Sequence, residues 1–419
     1  MLLQTRNEGE NWESPFTEYA DGCNTNDERI ERRRWRSTGL EMTSVRWLKF
    51  NPYDTSFAYA SVADIRMLRS DDGGETWEIT GGVNTDPLFA LNTVYDYDFA
   101  SSTTVFAVGG NFHDWPHEWY KNLLRGAGGV FVSFNAGDNW YRVGARASSN
   151  CDDNFLDVNC ALGDDMVRQI LTVHWEESIG GGTLFVGTHS AGVARLRGLN
   201  DIITSASGTI EQMQDLQWEW INTGLGSSTE RIIPEIKKRN GKIYCLLTGN
   251  APNFSNNDDV GLYELNQDLS SWTIKKGTVN RHSDISAAYN LWDYPTSFDV
   301  CSDGSLYLVD IETNGNYLAS GIWRSSDDGV TWDRVQQFTH AYHVTCTDTN
   351  GRIYASGGRS ISHIGHAGWG DGGAFYSDDG GDSWQKNEDL PLLSNLNSVI
   401  ADPADETKVR DSRHILCTK

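Results

Sequence analysis

The sequence predicts an all-β chain: a seven-bladed β-propeller of four-stranded antiparallel blades, one domain over residues 1–419, closed by N- and C-terminal strands that share a blade. Three observations predict it. A short turn motif recurs at nearly constant spacing. Gly (42) and Trp (16) are abundant while Pro is only 9, and a turn-rich, aromatic-rich chain without long apolar runs reads as all-β. The stretches before the first motif and after the last together amount to about one repeat, as a ring joined through its ends requires.

The motif is S-x-(D/N)-x-G-x-x-W. It occurs from Ser70 to Trp77, Ser133 to Trp140, Ser325 to Trp332 and Ser377 to Trp384, with degenerate copies from Thr5 to Trp12 and from Leu265 to Trp272. The Asp or Asn carboxyl or amide oxygen can accept backbone N–H groups of a tight hairpin. Gly supplies the positive φ that a Cβ resists, and Trp opens the next strand as a wedge into the core. The copies start at residues 5, 70, 133, 265, 325 and 377, so the gaps are 65, 63, 132, 60 and 52 residues. The gap of 132 is two spacings, and one blade between has lost its motif. Thr183–Thr188 and Gly192–Leu196 read as its strands, with Trp218 and Trp220 at its outer strand after a long insertion.

Within a blade the order is legible. Ser44–Phe50 reads as an inner strand, Phe57–Ser61 as the second and Met67–Ser70 as the third, with the motif leading into a fourth at Trp77. Similar inner pairs span Thr93 to Val108, Arg168 to Thr188, Ile232 to Thr248, Thr296 to Val309 and His343 to Ser356. At the C-terminus, Asn397–Asp402 and His414–Cys417 are expected to pair beside Leu2–Thr5, closing the ring and removing exposed sheet edges.

Composition excludes several function classes. The formal charge is −24, which repels a phosphate backbone and an anionic membrane surface alike, so nucleic acid is not an expected partner. No run of about 18 apolar residues could insert into a membrane. The apolar run in Met1–Asn7 is too short for a signal peptide, so an extracellular or periplasmic location implies a leader absent from this chain. A monomer without cofactor is expected. Of the seven cysteines none has zinc-site spacing. Cys151 and Cys160 bracket a polar loop that a disulfide would clip. Cys301 and Cys346 occupy equivalent places in successive repeats and read as small core residues.

The motif joins strands three and four, so loops between strands two and three, and the links between blades, leave the opposite face. Long insertions fall there. Asn111, Trp115 and Trp119 lie in one such loop and Arg359 and Trp369 in another. Flat aromatic faces and planar polar groups are what sugar rings require, so these five are the candidate substrate contacts. Histidines His113, His117, His189, His363 and His366 lie in the same loops; a metal would need the pairs 113/117 and 363/366 on helices, and none is assigned. The acids on this face are Asp64, Asp114, Asp310 and Asp371, of which Asp64, Asp310 and Asp371 are the candidate catalytic residues. Glycoside hydrolysis needs two carboxylates across a cleft, about 5–5.5 Å apart for retention or about 6.5–9.5 Å for inversion.

The repeats resemble the Asp-box (BNR) repeats of sialidases, xyloglucan-cleaving glycoside hydrolases, sortilin-type receptors and the photosystem II assembly-factor propeller. Locally, Phe50-Asn51-Pro52 through Tyr59-Ala60-Ser61-Val62-Ala63-Asp64-Ile65 is similar to the first blade of the xyloglucanase family. That resemblance implies that Asp64 is a general base. Arg66-Met67 stand where the family has two glycines, and the family's second catalytic Asp lies in a second propeller that this chain lacks. Arg231-Ile232-Ile233-Pro234 is similar to the Arg-Ile-Pro motif of sialidases with one extra Ile. Two readings follow: a hydrolase acting on an extracellular polysaccharide, or a propeller that docks a glycan or protein without chemistry.

Overall fold

The computed structural model describes residues 17–19, 35–37, 45–63, 66–81, 93–110, 128–143, 170–189, 191–205, 218–226, 231–248, 259–276, 278–280, 295–310, 320–337, 340–347, 351–358, 373–386, 398–403 and 405–411. Strands β1 (Thr17–Tyr19) and β2 (Trp35–Ser37) pair with each other. Six four-stranded antiparallel meanders follow in chain order. They are β3 (Val45–Asn51), β4 (Asp54–Val62), β5 (Arg66–Ser70) and β6 (Glu78–Ile79); β7 (Thr93–Phe99), β8 (Val105–Gly110), β9 (Gly128–Ser133) and β10 (Tyr141–Arg142); β11 (Ile170–Glu176), β12 (Thr183–Thr188), β13 (Val193–Arg197) and β14 (Glu219–Trp220); and β15 (Ile232–Arg239), β16 (Lys242–Thr248), β17 (Gly261–Leu265) and β18 (Trp272–Ile274). The short β19 (Thr278–Asn280) runs parallel to the outer strand of the next set: β20 (Pro295–Val300), β21 (Leu306–Asp310), β22 (Gly321–Ser325) and β23 (Thr331–Gln336). Last come β24 (His340–Cys346), β25 (Ile353–Gly358), β26 (Gly373–Ser377) and β27 (Gln385–Lys386), then the hairpin β28 (Val399–Asp402) and β29 (Asp405–Asp411). The partner of β28 therefore follows directly across Pro403; the expected partner at His414–Cys417 lies outside the described residues.

The motif forms as its chemistry requires. Ser70 Oγ donates to Asp72 Oδ1 (2.7 Å) and accepts the Gly74 N–H (2.8 Å), while Asp72 accepts the Thr76 N–H (2.9 Å) and Thr76 Oγ1 (2.6 Å). The serine and backbone bonds recur around Asn135, Asp327 and Asp379, and the hydroxyl bond recurs at Asp327 and Asp379. Hydrogen bonds from Thr331 hold the Asp327 carboxyl down at about 2, and those from Ser383 do the same for Asp379. Two successive residues take positive φ in each hairpin: Asp328 (58°) and Gly329 (85°), for example. The tryptophan then opens the outer strand: Trp77, Trp140 and Trp384 donate from Nε1 to the carbonyl of their own motif glycine (3.0–3.1 Å), whereas Trp332 Nε1 donates to Lys275 O (3.0 Å) at the end of the preceding set. In the repeat without a motif, a single helical turn, α1 (Asn200–Ser205), follows β13 instead.

One repeated glycine is not part of the motif. Gly261, Gly321 and Gly373 each open a third strand with φ between 149° and 156°. A Cβ at Gly321 would lie 2.0 Å from Gln336 O on the adjacent strand. Gly321→Ala is expected to cost about 2–3 kcal/mol by forcing strain into two strands, read as a lower urea midpoint with the slope unchanged.

Inner strands are sheet edges, and buried carboxylates satisfy them. Asp96 on β7 accepts Thr172 Oγ1 (2.7 Å) and the Val173 N–H (3.2 Å) of β11, and pairs with Lys49 of β3 (2.6 Å). Asp98 accepts the Trp175 N–H (2.8 Å) and contacts His174 Nδ1 (3.0 Å). Burial works to raise the Asp98 carboxyl, but His174, Lys49 and the Trp175 amide bring it below its ordinary value. Glu235 of β15 accepts the Phe298 N–H of β20 (3.1 Å), and Asp299 accepts the Cys346 N–H of β24 (2.9 Å). Part of the chain's acidity thus stitches sheet to sheet.

The cysteines depart from expectation. Cys301 and Cys346 are joined in a disulfide, with Cα atoms 5.3 Å apart, linking neighbouring sheets. Equivalent positions in successive repeats meet because the inner strands β20 and β24 pack side by side, a relation that a one-residue-at-a-time reading overlooks. Cys245 is a buried free thiol, pushed well up by burial; Cys151 and Cys160 lie outside the described residues. No described helix is long and apolar enough to cross a membrane.

Candidate functional site

Register places the loop face. Val45, Thr93, Ile170, Ile232, Pro295 and His340 at the starts of inner strands lie opposite Val62, Gly110, Thr188, Thr248, Asp310 and Gly358 at the ends of second strands. The segments between second and third strands therefore leave one face, and the motif hairpins the other, as expected. Asp64, Asp114, Asp371, Asn111, Trp115, Trp119, Arg359, Trp369, His113, His117, His363 and His366 lie outside the described residues, but their anchors do not. Gly110 is paired with Gly128, and Gly357 with Gly373. Asp310 is the described member of the acid set. It ends β21 between Pro295 and Gly321 and is 1% exposed, inside the sheet's rim rather than out on a loop. His189 is likewise buried.

Two features of this face were not read from the sequence. Six inner strands carry an irregularity at the same level, near their first residues, where Arg46, Tyr95, Leu171, Thr296 and Tyr342 are each skipped by the pairing, as are Ile233 and Pro234. Bulges re-aim side chains at barrel rims and beside sites. Arg46 Nη2 donates to Pro234 O (3.4 Å), 188 residues away, so two of these bulged positions meet. Tyr95 and Leu171 pack with Ile232 as a buried apolar cluster. Their signal in the sequence is faint, since a bulge adds one residue without any turn composition.

The second feature is Arg66. Its φ is 74°, the left-handed conformation that costs a side chain of this kind about 1–2 kcal/mol. The other described non-glycine residues of positive φ, Ala136, Asn240, Leu269 and Asp328, sit in hairpins of the opposite face. Arg66 stands where the resembling family has glycine, and the backbone here adopts a glycine-like conformation without one. No described group of His, Cys, Asp and Glu is placed to hold a metal.

Residues 375–386, which contain the last motif's core, match the BNR/Asp-box repeat. No curated protein matches the chain in sequence. Among solved structures the fold is similar to an ancestral GH74 enzyme, 16% identical with a TM-score of 0.59, over 93% of this chain and 48% of that one. It is similar to the GH74 xyloglucanase from Xanthomonas campestris, 16% identical with a TM-score of 0.56, over 90% and 52%. It is also similar to the extracellular domain of a one-component system from B. thetaiotaomicron, 12% identical with a TM-score of 0.50, over 90% and 38%. The chain spans about half the length of the two GH74 chains, and at these identities the likeness is one of fold. This is an all-β, propeller-type chain that carries the BNR/Asp-box repeat and resembles the xyloglucanases in architecture.

Proposed function

We propose that the protein is a secreted, glycan-directed propeller that hydrolyses an extracellular polysaccharide, with its site on the loop face. The observation that carries this reading is the left-handed backbone of Arg66, two residues beyond Asp64. Strain of this kind persists where surrounding structure over-determines it, and it gathers at functional sites. Asp64 is assigned as general base, and Asp310 and Asp371 as the acids from which its partner comes. Asn111, Trp115, Trp119, Arg359 and Trp369 are assigned as sugar contacts. A seven-bladed closed ring is part of the proposal. In its support, the inner strands touch in order, β3 to β7, β11, β15, β20, β24 and β28, and β28 touches β3. The disulfide between Cys301 and Cys346 supports an oxidising compartment.

The test is release of reducing ends from xyloglucan and a panel of other soluble polysaccharides. Turnover is expected, falling about 10²–10⁴-fold in Asp64→Asn with the melting temperature unchanged. Saturable glycan binding without reducing ends would make the protein a binding propeller, and absence of both would remove the glycan reading.

A further inference from the structure

The join between the hairpin β28–β29 and β3 has a single side chain as its keystone. His343, on β24, is 4% exposed, and its ring touches two other sheets. Its Nδ1 accepts the N–H of Val399, the first residue of β28, at 3.3 Å. Its ring stands edge-on to Trp47 of β3, with centroids 5.1 Å apart and planes at 71°. Val399 is itself buried, and Ile400 packs on the core of the β3 sheet around Val45 and Leu48. One imidazole thus holds the terminal hairpin from one side while meeting the first meander on the other.

The acceptor role fixes the tautomer. Nδ1 carries no proton, so the ring is neutral with its proton on Nε2. A second proton would have to sit on Nδ1, in the place of the bond from Val399. The charged groups facing the ring come from three elements. Lys49 of β3 and Lys237 of β15 repel a positive ring, and Asp299 of β20 attracts it but is already engaged by Lys237 and Arg239. Burial, then Lys237, push the imidazole down to about 3.

We propose that His343 is an acid-sensitive latch whose protonation releases the β28–β29 hairpin from its neighbours, opening the ring at this seam before the remaining sheets unfold. The hairpin need only lift for water to reach the imidazole. Once hydrated, the ring titrates near about 6.5, so below that pH each unit favours the opened form up to about tenfold, until the closed form also protonates near 3. The sign is that of a base depressed by folding: closure is favoured above the hydrated value and weakens as pH falls through it.

Amide hydrogen exchange in D₂O, corrected for the intrinsic pH dependence of exchange, tests this on the full chain. Protection at Val399–Asp402 is expected to fall at least tenfold between pH 6 and pH 4, and to lie well below that of Ile243–Leu247 in the interior of β16 at both pH values, because the hairpin opens without the remaining sheets. His343→Gln keeps an acceptor for the Val399 N–H without a titrating group, and the tenfold loss at its hairpin should disappear. Equal protection at the two segments, which would mean that they open together, or the same loss in His343→Gln, overturns the proposal. Should that variant fail to fold, the wild-type imidazole resonance followed by NMR decides. Protonation of His343 must share its midpoint with hairpin opening, and a hairpin that opens while His343 stays neutral overturns the latch.

Discussion

Asp299→Asn is expected to destabilise the protein by about 3–5 kcal/mol, the cost of breaking a buried ion pair from one side. Asp299 is 0% exposed at the centre of a hub. Arg239 donates to both its oxygens (2.6 and 3.2 Å), and Lys237 lies 3.8 Å away. It also accepts the Val300 and Cys346 amides, both at 2.9 Å, and Thr345 Oγ1 at 3.2 Å. An asparagine keeps the shape, but its amide nitrogen turns a donor toward a donor and leaves two cations beside a neutral group. Three inner strands, β15, β20 and β24, lose their common tie at once.

The pH dependence of this loss follows from sign. Burial opposes ionisation, but Lys237 and Arg239 hold the Asp299 carboxyl well below its ordinary value. A carboxylate depressed by folding stabilises above its unfolded value, about 3.9, and that contribution fades as pH falls beneath it. The difference between wild type and Asp299→Asn should therefore be constant from pH 7 to pH 5 and shrink below about pH 4. Urea unfolding at pH 7, 5 and 3.5 measures it. A difference below about 1 kcal/mol at pH 7 would show that relaxed side chains and water replace the hub.

This hub also marks what was legible in the sequence. The hairpin motif announced itself because its chemistry is local: Ser70, Asp72, Gly74 and Trp77 bond within eight residues. From that locality and its spacing the strand order within each meander followed, including the meander whose motif is lost. Asp299 accepts from Cys346, 47 residues on, and no short window of sequence contains both partners. The same distance hid the disulfide, and read singly Cys301 and Cys346 resemble ordinary small core residues. At the candidate site the signal was compositional. Long loops rich in Trp, His and Asp identify a face, but Asp310 shows the limit of such reading. Its place beside loop residues suggested exposure, whereas pairing with both Pro295 and Gly321 keeps it inside the sheet. Arg66 breaks a local rule, a bulky residue where glycine belongs, and such conflicts between local preference and fold are where function is expected.

Removing the disulfide should have an effect of similar size by a different route. Cys301 and Cys346 close a loop across a sequence separation of 45, and in the chain-entropy account a loop of this length restricts the unfolded state by about 4 kcal/mol. Cys301→Ala with Cys346→Ala is expected to lose about 3–4 kcal/mol while leaving Asp299, the other tie between the same strands, in place. The two ties should couple, because with the covalent link gone the Asp299 bond to the Cys346 amide must hold β20 and β24 together without it. The triple variant with Asp299→Asn should therefore depart from the sum of the two separate losses. Because both cysteines are at most 7% exposed, a mild thiol reductant should leave the folded protein's urea midpoint unchanged over minutes, yet lower it to that of the double variant once the chain has been unfolded and refolded in reductant. A double variant within about 1 kcal/mol of wild type would mean that the sheets are held in order by their packing alone, and that the entropy of the open chain is already restricted by structure persisting in the unfolded state.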